Sequence, residues 1–224
     1  MREKMDDPEC DPEKLRNTYA QFGAVNTLVS GWDKVYSRFI RPFAAARRHT
    51  HLLDVGSGGG DLPRKVARWA ARDSVNLTIT AIDPDERATS YATSHPHPEN
   101  VTFRRASTTD LLRAGETFDL VTSNHLLHHL SEEEVETICC ETAQLSKGLV
   151  IHKDLERADL AYAGFAALAV PFFHRSFIAH DGLISIRRSF TQAELREVAQ
   201  NSKMQGWRVE RTVPFHLLLI RDSS

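Results

Sequence analysis

At 224 residues, 41% hydrophobic and 26% charged, the chain reads as an ordinary soluble globular protein with one sizeable core. A formal net charge of −2 leaves no electrostatic footprint for nucleic acid, and the basic pairs Arg47-Arg48, Arg104-Arg105 and Arg187-Arg188 read as solvated surface. Three cysteines, two of them adjacent (Cys139, Cys140), make neither a disulfide framework nor a zinc spacing, so no metal is expected and a reducing cytoplasm fits. The polar, acidic start MREKMDDPEC is not a signal peptide.

Asp11-Pro12-Glu13 reads as a helix start, with Leu15, Tyr19 and Phe22 following at helical spacing. A second helical segment over 26–46 carries Leu28, Trp32, Val35, Tyr36 and Phe39. The two segments read either as a pair of helices covering a sheet edge or as a lid over a ligand. Next, the apolar run Leu52, Leu53, Val55 breaks into a glycine-rich turn and then a helical pattern from Asp61. A strand, a tight loop and a helix start in this order bind a nucleotide-like ligand at the carboxyl end of a parallel strand. A pyrophosphate at that helix end would be repelled by Asp54, and the third glycine of a dinucleotide pattern falls on Asp61. The pattern here is D-x-G-x-G-x-G through Asp54, Gly56, Gly58 and Gly60, which suits a cationic amino-acid moiety beside an adenosine. The next strand, 77–83, ends in Asp83, near the spacing of about 20 residues at which an acid meets ribose hydroxyls. Pro84 and Asp85 turn the chain into a helix over 86–94, and Val101, Phe103 and Arg105 form a third strand.

A fourth strand over 117–124 ends in Ser123 and Asn124, at the carboxyl end, and runs into His125-Leu-Leu-His-His-Leu130. Ser131 and Glu134 make a capping box for a helix to Leu145. Lys147-Gly148 reads as a turn into a fifth strand, 149–154, whose polar end faces the same crevice. The uncharged run 160–173 is too short to span a bilayer and is either a core helix or a pocket-shaping insertion. Residues 180–182 and 185–190 read as a loop, Thr191 and Glu194 cap a helix to Asn201, and 206–213 with 215–220 read as a hairpin. No repeat or linker marks a second domain.

With its D-x-G-x-G-x-G loop, Asp83, and F-D-x-V…L-H-H-L from Phe118 to Leu130, the chain resembles the class I S-adenosylmethionine (SAM)-dependent methyltransferases. The branch is the ubiquinone/menaquinone-type, methyltransferase domain 11/25-like one. The resemblance covers roughly 50–155 by motif and implies an α/β, Rossmann-like doubly wound seven-stranded sheet, mostly parallel with one antiparallel edge strand. It divides a single domain into an N-terminal helical lid (1–48), a cofactor core (49–154), a substrate-shaping insertion and helix (155–204) and C-terminal strands (205–224). SAM, leaving as S-adenosylhomocysteine, would meet Asp54, Gly56, Ser57, Gly58 and Gly60 on the loop, Asp83 and Pro84 after the second strand, and Ser123 and Asn124 after the fourth. The chain departs from the family where an acid usually bonds adenine: Ala106-Ser107-Thr108-Thr109 stands there, so Ser107 or Thr108 would serve instead.

Methyl transfer from a sulfonium is proximity catalysis, and a phenolic acceptor, pKa about 10, benefits from a base near neutrality. His125 is the first candidate, with His128 and His152 behind it; His128 and His129 alternatively only pack or cap. Tyr19, Phe22 and Trp32 would wall the sulfonium side, and Phe173, His174 and His180 the acceptor. The implied reaction is methylation of a small aromatic, quinone-like or polyketide-type acceptor, at oxygen, by a monomer or homodimer with no nucleic-acid partner. A nicotinamide oxidoreductase and a non-catalytic SAM-binding protein are the rivals.

Overall fold

The computed structural model describes residues 3–169, 173, 175–200 and 204–222. Helix α1 (Pro12–Val29) starts where Asp11 accepts hydrogen bonds from the Glu13 and Lys14 amides at 2.9 and 3.1 Å. It runs on through the residues expected to open a second helix. The break comes at Ser30-Gly31, where Gly31 adopts φ +59° before α2 (Trp32–Val35), a π-helical turn (Tyr36–Ile40) and α3 (Arg41–Ala45).

The core then alternates strand and helix: β1 (Thr50–Val55), α4 (Asp61–Arg72), β2 (Leu77–Asp83), α5 (Glu86–Ser94), β3 (Val101–Arg105), α6 (Thr108–Arg113) and β4 (Phe118–Asn124). After a short turn come α7 (Glu132–Leu145), β5 (Ser146–Leu155), α8 (Asp159–Ala169), α9 (Ile178–Arg188), α10 (Gln192–Ala199), β6 (Trp207–Thr212) and β7 (His216–Asp222). The strands form one seven-stranded sheet in the order β3-β2-β1-β4-β5-β7-β6. The mostly parallel, doubly wound sheet is the one expected. β7 is the strand that runs against the rest, and it lies between β5 and the edge strand β6 rather than at the rim itself.

Neighbouring residues of each central strand face opposite sides of the sheet, which explains the unbroken apolar runs. Leu52, Leu120 and Ile151 pack against Trp32, Ile40 and Val66 on one face; Leu53, Val121 and Val150 pack against Leu111 and Leu145 on the other. Each such side chain contributes about 1.5–3 kcal/mol when fully buried.

Two expectations are corrected. Lys147-Gly148 is no turn: β5 begins at Ser146, directly after α7. Gly148 lies so close to Phe43 and the Asp119 carbonyl that an added Cβ would sit 2.6 and 2.9 Å from them. Residues 180–182 and 185–188 are no loop either: α9 runs through them and ends at Arg188, with Ile178, Asp181, Ser185 and Ile186 buried on one face. Two polar residues occupy core-facing positions, which hid the helical stripe. Gly182 is there because the Phe165 ring of α8 approaches to 2.4 Å of where a Cβ would be. Among the described residues no helix is long and apolar enough to cross a membrane.

Candidate active site

The sheet order places β1 between β2 and β4, so the connections from their carboxyl ends diverge and leave a crevice there. The glycine loop closes its floor. Gly56 and Ser57 amides both donate to the Ile82 carbonyl, and the Gly60 amide donates to Ser57. Gly60, at φ +77°, opens α4 against the Phe103 ring, which leaves 2.4 Å for a Cβ. The Gly58 amide donates to Asp83 at 2.9 Å, and the Asp85 amide donates to the other Asp83 oxygen at 2.9 Å. Burial raises the Asp83 carboxyl; these two bonds hold it back.

Asp54 is 3% exposed. The Thr122 hydroxyl on β4 donates to it at 2.9 Å, and no cationic side chain pairs with it among the described residues. Burial pushes its carboxyl up to about 7. A buried acid facing a cavity without a cation is an electrostatic vacancy that a bound cation would fill.

The cavity measures about 420 Å³ and is lined on the β1–β2 side by Tyr19, Asp54, Gly56, Ser57, Gly58 and Asp83. On the β4–β5 side it is lined by Asn124, His125, His128 and Leu155, and at its far end by Phe165, Ile178 and Ile186. Asn124 accepts a hydrogen bond from the Trp32 indole at 2.8 Å, so Trp32 supports the wall from behind.

The other expected residues lie elsewhere. Gly60, Pro84, Ser107, Thr108 and Ser123 do not line the cavity. Ser107 caps α6 in a box with Asp110, and the buried Thr108 hydroxyl donates to Glu141 on α7. Ser123 and His152 bond each other at 2.7 Å beneath the sheet, where Thr142 and the Trp207 ring complete a closed polar pocket. Burial lowers His152 to about 4. His180 is exposed beside Asp181, and Phe173 stands off the cavity. The side chain of Phe22 and the whole of His174 lie outside the described residues.

Sequence reasoning missed the segment that roofs the cavity. Residues 3–10 form a strap in which the Lys4 and Met5 amides donate to Asp181 at 2.9 and 3.0 Å, and Arg87 holds the Met5 and Asp7 carbonyls. Its Glu3 carboxylate, 3% exposed, accepts from the Ser185 hydroxyl at 2.8 Å and stands 3.4 Å from His128 Nε2. Nothing in a polar N-terminal stretch signals this. The other nitrogen of His128 bonds Asp154 at 2.7 Å, and its amide donates to the same carboxylate. Burial alone would lower His128, but Asp154 and Glu3 carry it up to about 9; burial would raise Asp154, but His128 takes it well below the usual carboxylate range. Donor atoms of Glu3, His128 and His129 lie within 4.8 Å of one another, close enough to share a cation. A protonated His128 between two carboxylates has no lone pair to give, so it is already satisfied by Asp154 and Glu3. The polar end of β5 was the sequence signal for Asp154.

His125 is half-buried on the cavity with φ +55°, a left-handed conformation held by its amide bond to the Lys153 carbonyl at 2.9 Å. Its ring stacks on His216 of β7 at 5.6 Å. Burial, Lys153 and His216 lower it well below an ordinary histidine, so it is neutral.

Residues 52–148 match the family model of a methyltransferase domain. That segment is similar to a methyltransferase domain. The resemblance read from the glycine loop and the F-D-x-V…L-H-H-L segment is thereby borne out. The chain is similar to a ubiquinone biosynthesis O-methyltransferase of Rhizobium leguminosarum bv. trifolii, 32% identical over 142 residues, covering 62% of this chain and 52% of the relative. The chain thus spans about half the length of the curated relatives it matches. An O-methyltransferase family protein from Burkholderia thailandensis shares the fold, with a TM-score of 0.60 at 18% identity over 94% of this chain and 60% of that one. So does the magnesium protoporphyrin IX methyltransferase of Synechocystis solved with bound SAM, at 0.51 and 14%, covering 97% and 100%. The methyltransferase domain accounts for β1 to the start of β5; the strap, α8 and α9 lie outside its matched span.

Proposed function

We propose that the protein transfers a methyl group from SAM to an oxygen of a small phenolic or quinol-type acceptor. The observation that carries this reading is Asp54, a buried acid that no cationic side chain among the described residues pairs with, beside Gly56, Gly58 and Gly59 and one strand from Asp83. The residues fit the cofactor: Asp54 would hold its ammonium, Asp83 keeps lone pairs that would accept from ribose hydroxyls, and Tyr19 lines the cavity beside the loop. Once bound, SAM supplies an electrophilic methyl group on a sulfonium. Phe165, Ile178 and Ile186 offer an apolar surface to the acceptor ring, and the similarity to ubiquinone biosynthesis O-methyltransferases supports transfer to oxygen. His125 is neutral and faces the cavity, so it accepts the acceptor's hydroxyl proton, while His128, bonded to Asp154 and beside Glu3, fixes the wall of the cavity next to it. Free thiols at Cys10, Cys139 and Cys140 suit a reducing cytoplasm.

Calorimetric titration with SAM and with NAD tests the cofactor, and a panel of catechols and hydroquinones tests the acceptor. SAM binding with methyl transfer to at least one phenolic oxygen is expected. NAD binding without SAM binding would overturn the reading.

A further inference from the structure

Two histidines far apart in sequence meet at the cavity wall: His125 Nε2 lies 3.4 Å from His216 Nε2, their rings stacked with an 11° angle between planes. Only one proton can lie between the two nitrogens, and the rest of the structure says which ring carries it. His216 Nδ1 bonds the Pro214 carbonyl. A carbonyl oxygen only accepts, so Nδ1 is the protonated nitrogen of His216. His216 is 2% exposed, and burial together with Lys153 holds it down to about 3, so it is neutral and has no second proton. Its Nε2 is therefore an acceptor, and the proton between the rings belongs to His125 Nε2. A neutral His125 protonated at Nε2 carries its lone pair on Nδ1, which no hydrogen bond from a described residue reaches.

We propose that His216 is a positioning residue that fixes the tautomer of His125, so that Nδ1 is the basic atom offered to the methyl acceptor. This rests on the methyl-transfer reading above. In the step, an acceptor oxygen lone pair forms the bond to the methyl carbon as the carbon–sulfur bond breaks. Its electrons stay on sulfur, leaving a neutral thioether. The hydroxyl proton moves to His125 Nδ1, and Nε2–H keeps its bond to His216 throughout. The resulting imidazolium is held among Lys153, Asp154, His128 and His216, the titratable groups that surround His125. Among them the His128 imidazolium, joined by Lys153 below about pH 7, favours prompt return of the proton to solvent.

Lys153 strengthens the assignment. It is fully buried, its Nζ has no hydrogen-bond partner among the described residues, and it stands on β5 between the β4 residue Asn124 and the β7 residue Leu218. Below the value of about 7 to which burial lowers it, Lys153 is cationic and disfavours a second proton on either ring, leaving each histidine with the one proton that its hydrogen bond fixes.

The test has a spectroscopic arm and a kinetic arm. In long-range proton–nitrogen spectra of protein labelled at histidine nitrogen, His125 should show Nε2 protonated and Nδ1 bare. His216→Phe removes the acceptor and should mix the two His125 forms; it should also lower kcat on the order of tenfold while leaving S-adenosylhomocysteine affinity unchanged. His216→Gln, whose amide oxygen can accept from Nε2–H, should recover most of that loss. A wild-type His125 protonated at Nδ1, or a His216→Phe variant with unchanged rate and spectrum, overturns the proposal. The wild-type spectrum needs neither turnover nor a folded variant. A failure of methyl transfer with every acceptor would thus strike the function alone and leave the tautomer decided by the nitrogen signals.

Discussion

Asp54 sits 3% exposed with its carboxyl pushed up to about 7, so without ligand it is largely protonated below neutrality. A cation binds the deprotonated form, so each pH unit below about 7 must weaken SAM binding toward tenfold, with a proton released on binding. Calorimetry in two buffers of different ionisation heat measures that proton directly. Asp54→Asn should bind SAM at least tenfold more weakly near neutrality and lose the pH slope; a variant that keeps both affinity and slope would remove Asp54 from the site. At His125 the expected change is in rate. His125→Ala should leave SAM affinity in place and slow O-methylation on the order of 100-fold, most at low pH where the acceptor hydroxyl keeps its proton. Single-turnover rates across pH check this. Both residues were legible in the sequence because each ends a buried strand of the parallel sheet, where polar side chains have little structural reason to be. His128 was legible only as a candidate. Its protonation depends on Asp154 and on Glu3, whose approach from the N-terminus no local pattern encodes.

At the scale of elements, helix and strand periods carried the alternating core, and the errors fell where packing overrode pattern. β5 starts without a loop because Gly148 lets Phe43 approach, and α9 was hidden because Asp181 and Ser185 face inward to bind the strap. The strap tests that explanation. Asp181→Ala removes the acceptor of the part-buried Lys4 and Met5 amide bonds and so loosens the strap. Hydrogen exchange over residues 3–8 should accelerate at least tenfold while β1 and α4 stay protected. Unchanged exchange would show that Arg87 and the Glu3 contacts hold the strap without Asp181. Gly60 makes the corresponding test of the loop. Gly60→Ala must both adopt φ +77° and push into the Phe103 ring, which should cost about 1–3 kcal/mol and lower the thermal midpoint even without cofactor.

For the molecule as a whole, the buried charges beneath the cavity set how stability follows pH, and two of them oppose each other. His128 titrates at about 9 in the fold against about 6.5 unfolded, so its contribution is complete below 6.5 and is lost as pH rises through 9. Lys153 runs the other way. Burial lowers it from 10.5 to about 7, so the fold sheds its proton first and regains stability as pH rises above 7. Between pH 7 and 9 one group loses about 1.4 kcal/mol per unit and the other returns the same amount, so wild-type stability should be nearly flat there. Lys153→Met keeps the volume and removes the compensation. Its stability should fall by roughly 3 kcal/mol across that window, the full proton slope of His128 over two units. Urea unfolding at pH 7, 8 and 9, with m unchanged, reads the slope. A variant as flat as the wild type would mean that His128 is not the imidazolium its two carboxylates require.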